Sequence, residues 1–307
     1  SSKGDRETMI AVGILAGIAT ALLQAVSYVF SASFMRKYRS SLRLVIFSQL
    51  VMGAFSLLLL PFLFPAGLDG KLWAFFGWIV VWVAVFMVGQ VGFFTTLRSI
   101  EASRMSSLLG LKIVVLAFLY VVVMRSPLSA GQWLAVVLSA AAAVGMNWSG
   151  GNRFTLKGIF WLFMTLVFYS LTDMTENHLV RMPEGINVVS AAFGVGVTCY
   201  AILGVLTLPM LWKFRWTTRQ FVEAVPFAAS WFFSQVALFV CFGLLGTVFG
   251  NVIQASRGLI SIGIGMLLVR WGLGKLDARI SRRMWLRRIA ASILMTAAII
   301  LYAVSGA

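Results

Sequence analysis

Long apolar runs separated by short polar breaks set the pattern of this chain. A helix needs about 17 to 25 predominantly apolar residues to cross roughly 30 Å of hydrocarbon. Stretches that qualify are Met9–Phe34, Val45–Phe64, Leu72–Leu97, Ser106–Met124, Gln132–Trp148, Gly158–Val180, Val188–Leu211, Ala224–Gly243, Val248–Val269 and Met284–Val304. No segment of about ten residues alternates apolar and polar positions as a membrane strand would. A helix satisfies every backbone N–H and C=O within its own segment, which lipid cannot do for it. The pattern therefore predicts an all-α membrane protein with ten transmembrane helices.

Composition removes the soluble alternative. With 61% hydrophobic and 11% charged residues, and a mean hydropathy of +0.96, the chain has more apolar surface than one aqueous core would bury. The formal charge of +16 does not indicate nucleic acid, because Lys and Arg occur in short runs between apolar stretches rather than along one face or tail. Cys199 and Cys241 fall inside apolar runs without CxxC spacing and read as packing residues, so neither a disulfide framework nor a metal site is expected. The polar stretch Ser1–Thr8 precedes an apolar run too long for a cleaved signal, so a retained first span is expected.

Basic residues give the orientation, since their translocation is disfavoured. Of 25 Lys and Arg residues, 18 lie in the loops after the odd-numbered spans: Arg36, Lys37, Arg39 and Arg43; Arg98 and Arg104; Arg153 and Lys157; Lys213, Arg215 and Arg219; and Arg270, Lys275, Arg279, Arg282, Arg283, Arg287 and Arg288. On the opposite side are Lys3, Arg6, Lys71, Arg125 and Arg181, while Lys112 and Arg257 lie within spans. The odd-numbered loops are therefore expected in the cytoplasm and both termini outside.

Sliding the sequence on itself by 145 residues superimposes Gly13-Ile14 on Gly158-Ile159, Thr20 on Thr165 and Arg36 on Arg181. The same shift superimposes Gln90-Val91 on Gln235-Val236, Lys112 on Arg257 and Arg125 on Arg270. Two repeats of five spans follow, residues 1–150 and 151–307. An odd number of spans forces the second repeat to enter the membrane opposite to the first. Basic residues number 4, 1, 2 and 1 in the successive loops of the first repeat against 1, 3, 0 and 7 in the second. High meets low at each position, as inversion requires.

With its two five-span halves, a Gly-rich fourth span in each half, and the stretch Leu128-Ser129-Ala130-Gly131-Gln132-Trp133-Leu134 before the fifth span, the chain resembles the EamA-type drug/metabolite transporter superfamily. The resemblance covers essentially the whole chain. It implies transport through a central cavity lined by the first, third, fourth, sixth, eighth and ninth spans. The chain departs from many members in carrying Met124-Arg125-Ser126 where they have Gly-Glu, and in placing its termini outside. The expected location is the bacterial cytoplasmic (inner) membrane.

Lys112 and Arg257 supply the candidate chemistry. A charge near the midplane costs at least about 2.5–3.5 kcal/mol and normally faces a bundle interior or water-filled cavity. As repeat mates, the two cations would offer charge-assisted contacts to a phosphate or carboxylate, so a small anionic or partly anionic metabolite is the expected substrate. The alternative is permanent neutralisation by a protein carboxylate, or snorkelling of Lys112 to the interface. Asp173 and Glu176, three residues apart on span six, share a helical face and are candidates for proton coupling or counter-charge. The other possibility is that Glu176 and His178 reach the headgroups, leaving Asp173 buried.

Asn251, Gln254, Arg257 or Gly258, and Ser261 recur at spacings of three and four and form a polar stripe on span nine. Gln90 and Gln235 are repeat-related amides, and Tyr28 shares a face of span one with Gln24. These residues would orient a ligand or tie helices together. Gly246 and Gly250 have GxxxG spacing, and Ala140–Gly145 make a small-residue surface, both suited to close helix packing. No P-loop, HExxH or GxSxG motif occurs, so neither an enzyme activity nor a cofactor is expected. Readings that compete with an anion transporter are an exporter of amphipathic drugs or amino acids, a carrier of an anionic lipid, and a non-transporting scaffold or receptor.

Overall fold

The computed structural model describes residues 3–97, 108–125, 127–147, 156–213, 216–257, 260, 263–264 and 282–305. Arg98, Arg104, Arg153, Arg215, Gly258, Ser261, Arg270, Lys275 and Arg279, with part of the ninth expected span, lie outside them. The described residues form no strand. Their α-helices are α1 (Lys3–Tyr38), α2 (Ser41–Leu63), α3 (Leu72–Leu97), α4 (Lys112–Met124), α5 (Ala130–Asn147), α6 (Leu156–Val180), α7 (Val188–Thr207), α8 (Thr218–Leu245), α9 (Thr247–Gln254) and α10 (Arg282–Ser305).

Among the described residues, six helices are long and apolar enough to cross a membrane: Arg6–Met35, Leu42–Leu63, Leu72–Phe93, Leu156–Val180, Val188–Lys213 and Thr218–Leu245. They match the first, second, third, sixth, seventh and eighth expected spans, as an integral membrane protein requires. Apolar segments at Leu109–Val123, Ala130–Ala142 and Ile293–Tyr302 are shorter. The chain divides into two compact units, Ser1–Ala84 with Thr175–Leu245 and Val85–Met174 with Gly246–Ala307.

In the first unit, α1 packs against α8, and α2 against α7 and α8. Glycine sets the α2–α7 approach: a Cβ added to Gly53 would stand 2.5 Å from the Gly204 Cα, so the backbones themselves touch. Phe34, Leu44, Phe47, Leu50 and Ala224 form a buried cluster where α1 hands over to α2. The hand-over is tight. Arg39 takes the left-handed region at φ 49, its N–H reaching the Met35 carbonyl at 2.9 Å, and Ser40 caps α2 by accepting from the Arg43 N–H. At the other end, Gly67 has φ 75, and its carbonyl accepts from the Glu184 N–H at 2.9 Å. A Lys71–Glu184 ion pair strengthens that connection.

In the second unit, α5 packs on α10 and α4 on α5 and α9. Ala142 from the expected small-residue surface sits against Ala291 and Met295. Gly89 of α3 faces the Tyr169 ring, and Gly92 faces Thr165. A 3-10 turn at Leu109–Leu111 leads into α4, so Lys112 is the first residue of that helix. Gly246 differs from its expected packing role: it has φ 81, precedes α9 as its cap, and has open space where a Cβ would go. Its conformational freedom, rather than its small size, is what the chain uses there.

Candidate functional site

The second unit joins three polar side chains from separate helices. The Lys112 Nζ lies 2.7 Å from the Asp173 Oδ2, with side-chain exposures of 12% and 7%. Asn251 Nδ2 donates to the same oxygen at 2.7 Å and to the Thr247 carbonyl at 2.9 Å. That second bond fixes the amide from within α9, so its donor is aimed before Asp173 is met. Ser170, one turn before Asp173, donates to the Leu166 carbonyl at 2.7 Å and to the Lys112 carbonyl at 3.4 Å. This contact ties the start of α4 to α6 and fixes the root of the lysine.

Arg257 adds its charge to the field at Asp173 and is half-buried. Two cations thus act on one carboxylate. Gln254, one turn after Asn251, is buried at 6% exposure, while Gln90 on α3 is half-buried. Ion pairs removed from water recover their desolvation cost only with good geometry and further hydrogen bonds, which Asn251 supplies.

The first unit holds the remaining expected residues. Glu176 is 2% exposed, so it is an interior carboxylate rather than a headgroup-facing one. Trp82 Nε1 donates to Glu176 Oε1 at 3.1 Å, and the Trp82 ring meets Tyr200 edge-on at 5.6 Å. His178 is exposed and lies against Trp78 at 4.5 Å between ring centroids. Gln235 and Gln24 are buried. Tyr28 is half-buried, its ring 6.3 Å from Trp231.

Sequence reasoning missed Trp82 and Ser170. Trp82 was findable in principle, because a carboxylate inside an apolar span needs a donor and the indole N–H is one of few available. Ser170 had no such signal, since a hydroxyl inside a helix commonly bonds back to its own preceding turn. Among the described residues, no group of three or more His, Cys, Asp or Glu side chains is placed to hold a metal.

No family model matches the chain, and no curated protein does. Solved structures do: 28 chains match. One of these, described only as the crystal structure of a protein, is 13% identical, with 95% of this chain and 96% of that chain covered and a TM-score of 0.65. That likeness shows a shared fold.

Proposed function

We propose that the chain is a ten-span secondary active transporter of the EamA type, built from inverted repeats 1–150 and 151–307, which moves a small anionic or partly anionic metabolite across the bacterial cytoplasmic membrane by alternating access. The observation that carries the reading is the buried Lys112–Asp173 pair with Asn251 on the same carboxylate oxygen. Ionisable residues at such depth generally serve transport or proton relay. Asp173 accepts the proton; neutralised, it releases Lys112 to the substrate anion, with Arg257 as the second cation. Coupling then follows from competition between a carboxylate of the protein and the anionic group of the substrate. Glu176 is a second candidate proton carrier.

The inverted repeat draws support from inside each unit. In the first, Thr20 of α1 donates to the Ser234 carbonyl of α8 at 3.2 Å. In the second, Thr165 of α6 faces Gly92 of α3, where an added Cβ would lie 2.7 Å from the Thr165 Oγ1. A 145-residue shift carries α1 onto α6, α3 onto α8 and Thr20 onto Thr165, so the two threonines meet matching helices, at positions three residues apart in register. The pairs α2–α7 and α5–α10 each map onto themselves under the same exchange, as a pseudo-two-fold relation demands.

A thermal-stability panel of phosphorylated, carboxylated and cationic metabolites tests the substrate class. An anion should raise the melting temperature by binding linkage, and Lys112→Ala should remove the effect. A panel in which only cations stabilise would favour a second reading, to which the pairing itself lends weight. With Lys112 acting solely as Asp173's partner, Asp173 would bind the cationic group of an amphipathic drug or amino acid for export. Asp173→Asn would then abolish transport and Lys112→Ala would spare it.

A further inference from the structure

The two ends of the first unit differ in charge. At the end formed by the Gly67 and Glu184 loops and the start of α1, Arg6, Lys71 and Arg181 are matched by Glu7, Asp69 and Glu184. The opposite end joins the α1–α2 turn to the start of α8, through a Lys37–Glu223 ion pair and a Tyr38 hydroxyl that donates to Glu223 Oε2 at 2.9 Å. Arg219 Nε also donates to Glu223 Oε1, at 3.2 Å. Glu223 is thus fully engaged, and it is the acidic residue of that end among the described residues. Among the described residues, the charges of Arg39, Arg43 and Lys213 have no further acidic counterpart there.

Apolar side chains border these cations. Trp212 is 92% exposed, Trp216 49% and Leu42 46%, and Trp212 immediately precedes Lys213 in a 3-10 turn, Leu208–Lys213, that buries none of its residues. Tryptophan beside lysine at the edge of apolar spans is the composition of a headgroup boundary. Arg39 also occupies a left-handed backbone position, φ 49, that glycine would adopt more easily.

We infer that this end of the first unit binds the headgroup of an anionic phospholipid, with Arg39, Arg43 and Lys213 on its phosphate and Trp212 and Trp216 against the adjoining acyl region. Clusters of Lys and Arg directly beside membrane helices recognise such lipids. The site shares no residue with the Lys112–Asp173 pair and does not depend on the transport reading.

Native mass spectrometry of the full chain, released from a neutral detergent with added dioleoyl phosphatidylglycerol or dioleoyl phosphatidylcholine, tests it. Preferential retention of phosphatidylglycerol is expected, weakening with salt. In Arg39→Gly/Lys213→Gln the preference should fall about 25-fold, at about fivefold for each basic residue. Arg39→Gly relieves the backbone, so a folding failure does not mask the outcome. The same change at the other left-handed arginine, Arg125→Gly, should leave retention intact. Equal retention of the two lipids, an unchanged preference in the double variant, an equal loss in Arg125→Gly, or competition by inorganic phosphate at the same concentration would overturn the assignment.

Discussion

Lys112 and Asp173 meet at 2.7 Å, although one begins a short helix and the other lies deep in a long one. Both are largely removed from solvent, so each compensates a charge that water does not reach. Removing one partner of such a pair commonly costs about 3–5 kcal/mol, because the remaining charge is left uncompensated. Lys112→Met alone should therefore destabilise the chain by about that amount, whereas Lys112→Met/Asp173→Asn should recover most of the loss. Chemical denaturation in detergent checks this, and equal destabilisation by the single and double changes would contradict it.

Two glycines on α7 should respond in opposite directions. A Cβ on Gly204 would meet the Gly53 Cα at 2.5 Å, backbone against backbone, while one on Gly196 would meet Val236 Cγ2 at an ordinary 3.7 Å. Gly204→Ala is expected to destabilise by about 1–3 kcal/mol through overpacking. Gly196→Ala should stabilise by about 0.5–1 kcal/mol, because alanine is the better helix former. Melting temperatures of the two variants provide the comparison.

Acid should weaken the connection between the Gly67 and Glu184 loops. The hydrogen bond and charge of Lys71 hold the Glu184 carboxyl below its usual value of 4.5. A depressed folded-state pKa adds stability above the unfolded value, and that contribution is lost as pH falls through the folded one. Wild type should therefore exceed Lys71→Gln slightly at neutral pH and converge with it below about pH 4. Thermal melts across that range check the sign; a gap that widens in acid would contradict it.

Glu176 should depend on its indole donor. Trp82→Phe removes the 3.1 Å hydrogen bond and leaves a buried acceptor without that donor, at a cost of about 1–3 kcal/mol. The loss should be smaller on a Glu176→Met background, where the acceptor is gone. A double-mutant cycle measures the coupling.

How much of this was legible in the sequence depends on the range of the interaction involved. Helices are local, and apolar length alone placed six of the expected spans within several residues of the helices observed. Lys112 announced itself as a cation within an apolar run. Its partner did not, because the sequence offered Asp173 to either Lys112 or Arg257, and packing between α4 and α6 decides which lies within bonding distance. Glu176 was ambiguous for a related reason: a carboxylate near a helix end reads as interfacial until a neighbouring helix covers it. The GxxxG spacing at Gly246 and Gly250 suits both close packing and a break between helices, and only the backbone angle separates them. Trp82 was hidden by abundance, since eleven tryptophans in such a chain invite an interfacial reading for all.

Uptake into proteoliposomes, driven by an inward proton gradient and measured with the anion that best stabilises the protein, tests the central proposal most directly. Wild type should accumulate the anion and lose that accumulation when a protonophore collapses the gradient, and both Lys112→Ala and Asp173→Asn should abolish gradient-driven uptake. Wild-type accumulation in both variants would contradict a transport site at Lys112 and Asp173.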